Sequence, residues 1–199
     1  MALGLCNEWD YFTTFTLDPN KYDRFNLQKW HKDFTQWIRN YRRKTGYPFK
    51  YILIPEHHIK DYAWHMHGLI QGLPWDTLTK FDPAKHPIKL VTKGYRYHEG
   101  ILDKFGYNSF GKIRNREATT KYLMKYITKT MAETNIGLGS HLYYASLGLN
   151  KPELVNNMYL CSYVTKVDFE NDYMASAWLS KGEVEQLNGE LFAGKRGRT

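Results

Sequence analysis

Between Leu27 and Lys44 the large apolar residues Trp30, Phe34, Trp37, Ile38 and Tyr41 recur every three or four positions. That period predicts an amphipathic helix whose apolar stripe packs on a core, and Gly46 supplies its stop. A second stretch without glycine or proline, Ala118 to Met131, repeats the pattern, with Leu123, Met124, Ile127 and Met131 as its buried stripe. Tyr122, Lys125, Tyr126 and Lys129 fall together on the other side of the same helical wheel. Shorter segments read as strands. Tyr11 to Thr16 is closed by the turn cluster Asp18-Pro19-Asn20, and Tyr51 to His58 with His65 to Gln71 is a hairpin by spacing.

The rest of the chain is more broken. Between Leu73 and Tyr107, Pro74, Pro83, Pro87, Gly94, Gly100 and Gly106 punctuate what reads as an insertion carrying one or two strands, with Ile88 to Thr92 as a strand-like piece. Leu142 to Ser146 and Tyr159 to Val164 read as strands around a Lys151-Pro152-Glu153 turn and short helix. Residues 193–199 form a basic tail expected to be disordered. The ordering implies one α+β domain over residues 1–199, with a mainly antiparallel sheet backed by helices.

Two strand positions carry chemistry. Side chains at i and i+2 share a strand face, so His65 and His67 can offer two imidazoles to one divalent ion while Met66, Gly68 and Ile70 face the other way. The same alternation puts Glu56 and His58 on one face of the preceding strand and His57 on the opposite face. The tyrosine helix is unusual because its aromatic residues keep company with lysines rather than with the apolar stripe.

These elements resemble the HUH endonucleases, and specifically the two-tyrosine rolling-circle replication initiators of small single-stranded DNA phages and plasmids. Tyr11-Phe12-Thr13-Thr14-Phe15-Thr16-Leu17 matches the family's first motif, and His65-Met66-His67-Gly68-Leu69-Ile70 its second. Tyr122, Lys125, Tyr126 and Lys129 fit the third, Tyr-x-x-Lys-Tyr-x-x-Lys, at every specified position. The resemblance implies a ferredoxin-like or RNA-recognition-like sheet with the histidines on a central strand and the tyrosine helix across that face. It implies Mg²⁺ or Mn²⁺ held by His65, His67 and a third ligand, Glu56 ahead of His58. It further implies nicking of a single-stranded origin, free or within a hairpin, through a 5′-phosphotyrosine, with lysine assistance and later rejoining. A transposase or relaxase would share this chemistry; a water-using hydrolase and a non-catalytic strand-binding module are the other readings.

Composition narrows the partners. The formal net charge is +8 and the sequence pI about 9.3, which favours polyanions through counterion release; Arg114, Arg116 and Lys121, ahead of and within the tyrosine helix, are candidate phosphate contacts. The six tryptophans, sixteen tyrosines and ten phenylalanines point first to an aromatic core and second to stacking on unpaired bases. No Gly-x-x-x-x-Gly-Lys-Ser/Thr loop is present, so unwinding and synthesis would fall to a host helicase and polymerase. Cys6 and Cys161 are too few for a disulfide framework, and no run suits a membrane span or a signal segment. A soluble protein of the bacterial host cytoplasm is expected.

Overall fold

The structure, a computed structural model, describes residues 2–58, 62–133 and 141–152, together with 169–171, 174–177, 179–180, 182–183 and 186; side chains of the tyrosine helix are described through Ile127. The chain forms two compact units, residues 1–152 and 153–199. In the second, β8 (Phe169–Asn171) and β9 (Met174–Ser176) pair as an antiparallel hairpin. The expected strand at Tyr159 to Val164 and the basic tail lie outside the described residues.

The first unit is built on seven antiparallel strands, an α+β fold. In chain order its elements are α1 (Ala2–Leu5), β1 (Tyr11–Thr16), α2 (Leu27–Thr45), β2 (Lys50–His57), β3 (Trp64–Gln71), β4 (Thr79–Lys80), α3 (Ile88–Thr92), β5 (Arg96–Tyr97), α4 (Glu99–Lys104), β6 (Asn108–Lys112), α5 (Arg116–Glu133) and β7 (Tyr144–Ala145). The strand order is β4-β5-β6-β1-β3-β2-β7. Because β3 pairs antiparallel with both β1 and β2, β1-α2-β2 is a crossover between parallel strands with β3 inserted between them, the split β-α-β arrangement. The histidine strand is thereby flanked on both sides.

The two sheet faces have different jobs. On one, Tyr11, Phe15, Leu53, Met66, Ile70 and Phe110 pack against Trp30, Phe34 and Ile38 of α2. This core holds much of the aromatic content: Trp30 stacks on Phe34 at 4.8 Å, and Phe34 meets Phe15 at 5.4 Å. The helix starts where the Asn26 side chain accepts from the Lys29 N–H and ends at left-handed Gly46, whose N–H donates to the Arg42 carbonyl. On the other face Ile52, Ile54 and Leu69 pack with Trp9 and with Leu123 of α5.

Two glycines are required by close approach. A Cβ on Gly68 would lie 2.0 Å from the Ile52 carbonyl oxygen, so the residue after the second histidine has no room for a side chain. Gly111 is similar, with the Tyr95 ring 2.6 Å from where its Cβ would be.

The strand-like reading of Ile88 to Thr92 is corrected: the segment is the short helix α3. Pro87 stands at its N-cap and Gly94, just beyond its C-cap, takes φ +69°. These terminal residues outweigh the β-branched content, as expected when a proline pre-sets the first turn and a glycine ends it. The surrounding insertion contributes β4 and β5 to one edge of the sheet. The Leu142 to Ser146 strand shortens to β7, which covers β2 only at Ile52 and Leu53.

Candidate active site

Register, rather than sequence proximity, assembles the site. Glu56 of β2 pairs opposite His65, and Thr14 and Thr16 of β1 pair opposite His67 and His65. Directly paired residues point to the same face, so two threonines, two histidines and one glutamate form a polar row on the face that α5 covers. Met66 and Ile70 are buried on the opposite face, as the alternation predicts.

The polar row is tied together by hydrogen bonds. His65 Nδ1 lies 2.9 Å from Thr16 Oγ1, and His67 Nδ1 lies 3.1 Å from Thr14 Oγ1. His67 Nε2 is 2.8 Å from Glu56 Oε2. A carboxylate only accepts, so in this arrangement Nε2 carries the proton and Nδ1 of a neutral His67 accepts from the Thr14 hydroxyl. A hydroxyl can equally accept. If Nε2 gave up its proton to bind something else, Nδ1–H would donate to the same oxygen, and the ring would hold its place in either tautomer.

His58 stacks on His65 with centroids 4.8 Å apart. His57 turns to the other side, where its Nδ1 donates to the Tyr62 carbonyl oxygen at 2.8 Å. The parity read from the strand, Glu56 and His58 against His57, is what the structure has. Of the two candidate third ligands, Glu56 is the one paired with His67. As they stand, no three His, Cys, Asp or Glu side chains among the described residues converge closely enough to cage a metal ion; Glu56 and His67 instead satisfy one another.

The helix α5 is capped by Asn115, whose side chain accepts from the Ala118 N–H at 2.8 Å. It lies on β2 and β3 through Leu123, which is buried, with Tyr126 and Ile127 half-buried beside it. The Tyr126 ring stacks on His67, centroids 4.0 Å apart and 17° from parallel. Its hydroxyl is 2.9 Å from that of Tyr122, and Tyr122 itself is 50% exposed against Phe12. The wheel's separation of tyrosines from apolar residues therefore holds for Tyr122 and for exposed Lys125, whereas Tyr126 sits on the seam between helix and sheet. Burial, followed by the hydrogen bond and charge of Tyr122 and the charge of Glu56, pushes the Tyr126 phenol well above the ordinary tyrosine value. Lys129 belongs to α5, and its side chain lies outside the described set.

The candidate phosphate contacts separate. Arg114 lines a cleft beside Tyr122. Arg116 is engaged by Glu8, and Lys121 pairs with Glu117 one helical turn away at 2.8 Å. Thr14 and Thr16 are the site residues that the strand pattern alone leaves unassigned. Their signal is the register between strands about fifty residues apart, which no local period carries.

A sequence profile of the replication-associated protein ORF2 family matches residues 10–131, well over half of the chain. The chain belongs to that family. Every residue of the polar row and both tyrosines of this replication-associated protein fall inside the matched segment. No curated protein and no solved structure shows significant similarity to it. Among the described residues no helix is long and apolar enough to cross a membrane.

Proposed function

We propose that this replication-associated protein is a replication initiator that nicks and rejoins single-stranded DNA through Tyr122 and Tyr126. The observation that carries the reading is the stacking of Tyr126 on His67, with the Tyr122 hydroxyl hydrogen-bonded to it: two phenols gathered over a histidine pair.

A tyrosine oxygen attacks the scissile phosphorus and forms a P–O bond to the protein, while the bond to the 3′-oxygen breaks and that oxygen leaves as a 3′-hydroxyl after taking a proton. The product is a 5′-phosphotyrosine. Because one phosphodiester replaces another, attack by a 3′-hydroxyl on the phosphotyrosine reverses the step and releases the phenol. A second tyrosine lets a second cleavage begin while the first remains loaded. Exposed Lys125, one turn from Tyr122 and adjacent to Tyr126, supplies positive charge near the developing charge on phosphate, and Lys129 is assigned the same task.

His65, His67 and Glu56 are the residues that would hold a divalent ion. Two imidazoles and one carboxylate with positions left open suit Mg²⁺ or Mn²⁺, the nitrogen donors favouring Mn²⁺, and such an ion would withdraw charge from a phosphate oxygen. Glu56 would turn from His67 to share it, with Thr14 keeping the imidazole oriented. The origin strand, a host helicase and a host polymerase are the expected partners, and the host cytoplasm the expected setting.

The test incubates purified protein with labelled single-stranded oligonucleotides spanning its replicon, with Mn²⁺ or with EDTA, followed by denaturing electrophoresis. A metal-dependent protein–DNA band that vanishes in the Tyr122→Phe/Tyr126→Phe variant is expected. Cleavage without that band would replace tyrosine attack with hydrolysis by water. Binding with neither outcome would reduce the protein to a strand-binding module.

A further inference from the structure

A cleft of about 960 Å³ opens beside the exposed tyrosine. It starts at Tyr122 and Phe12, runs past the end of β6, and reaches the turn between α3 and β5. Lys93, Lys112 and Arg114 line it, and no carboxylate does. None of these three cations forms an ion pair with a carboxylate among the described residues, in contrast to Arg116 and Lys121. A cleft whose fixed charges are all positive and locally uncompensated concentrates an anion.

The floor is aromatic. The Tyr95 ring lies against the bare backbone of Gly111, on the sheet face of Phe12 and Tyr122, because Gly111 is paired opposite Phe12. Trp75 stacks on Tyr11 at 5.4 Å and carries the Lys112 ammonium 4.7 Å from its ring centroid. Lys112, paired opposite Tyr11, is thus held at the end of β6 by Trp75, and Tyr95 is the ring on the Tyr122 side of the cleft. Beyond Tyr95 a smaller cleft of about 430 Å³ continues along Lys80, Phe81 and Arg96, sharing Trp75, Gly94, Tyr95 and Lys112 with the first.

We infer that this cleft is the path of the DNA strand on one side of the scissile phosphate, with a base stacked on Tyr95 and successive phosphates held by Lys93, Lys112 and Arg114. Charge alone would suit any nucleic acid. The aromatic floor selects an unpaired strand, since a duplex hides its base faces from a side chain lying in a groove. The inference rests on the nuclease reading only for placing the reacting phosphate at Tyr122, where the cleft ends.

The experiment measures binding of fluorescein-labelled oligothymidylate to the full chain by anisotropy across a potassium chloride series, and scores covalent adduct formation on origin oligonucleotides in parallel. Tyr95→Ala should weaken binding about tenfold, within the range for loss of one base stack, and Tyr95→Phe should restore it. Lys112→Ala with Arg114→Ala should lower the salt dependence, by about 0.7 in log–log slope for each phosphate contact removed. Arg39→Ala with Lys44→Ala, on α2 at the other sheet face, should change neither. Circular dichroism melts establish that each variant is folded. Wild-type affinity and slope in both cleft variants would overturn the inference, as would equal binding of a matched duplex with no effect of Tyr95→Ala. Adducts that form normally in such cleft variants would leave the nuclease reading standing without this path. Cleft-dependent binding with no adduct would do the reverse.

Discussion

Tyr126 lies flat on His67, the imidazole whose Nε2 faces Glu56 2.8 Å away. The stack joins a helix to the third strand of the sheet across more than fifty positions of chain, and it places a phenol in surroundings that disfavour its ionisation. Burial contributes most, and Tyr122, Glu56 and Tyr95 add to it in that order.

Tyr122→Phe should therefore lower the pKa of Tyr126 while leaving it above the ordinary tyrosine value. The substitution removes the hydrogen bond and the electrostatic influence of Tyr122, but not the burial. Carbon-13 NMR of ζ-labelled tyrosine, titrated through the alkaline range, reads this directly. An unchanged Tyr126 titration would mean that the 2.9 Å contact does not persist in solution.

Thr14→Val and Thr16→Val preserve shape and remove the hydroxyl that each Nδ1 contacts. If Mn²⁺ binds His65 and His67, each variant should lose about 10- to 100-fold in affinity, the usual cost of deleting an outer hydrogen-bond partner of a ligand. Wild-type protein at about a hundred times the dissociation constant should gain about 2.7 kcal/mol of stability from the ion, and His67→Ala none. Isothermal titration and thermal melts with and without Mn²⁺ separate these outcomes from simple unfolding.

Gly68→Ala should destabilise the fold by about 3 kcal/mol, because its methyl group meets the Ile52 backbone oxygen rather than a side chain able to move. Leu123→Ala should cost about 2–5 kcal/mol by leaving a cavity under α5. The second variant also loosens the helix that carries the tyrosines, so adduct formation should fall more than the folded fraction does. Urea titration beside the adduct assay tests both.

Acid should weaken the protein through His98. Burial holds this imidazole below its ordinary pKa, and its Nδ1 has no hydrogen-bond partner among the described residues. The folded state thus binds a proton less readily than the unfolded chain. Stability is fully present above about pH 6.5, the unfolded value, and is lost as pH falls from there through the depressed native value. His98→Gln should flatten the melting temperature against pH across that window; an unaltered slope would assign the acid sensitivity elsewhere.

Much of this arrangement is legible in the chain because its periods are local. Strand parity separates Glu56 and His58 from His57, and the three- and four-residue recurrence locates α2 and α5 to within a residue or two. The α3 segment misleads because Ile88 and Val91 suggest a strand while the decisive signals are Pro87 before it and Gly94 after it. Thr14 and Thr16 escape assignment, since their partners depend on β1 choosing β3 as its neighbour. Lys121 is neutralised by Glu117 at a spacing visible in sequence, whereas the Glu8 contact of Arg116 spans much of the first unit. Tyr126 differs from expectation for a related reason: a wheel gives angles around a helix, but not how broad a sector the sheet will cover.

The placement of β3 between β1 and β2, with α5 laid over that face, has a consequence for biosynthesis. The polar row needs three strands in register, yet its tyrosines are translated more than fifty residues after the second histidine. High sequence separation delays such contacts during folding. A nascent or prematurely terminated chain ending before α5 holds the histidines and no phenol beside them, so a truncated product carries the imidazole half of the site without the half assigned to attack the strand.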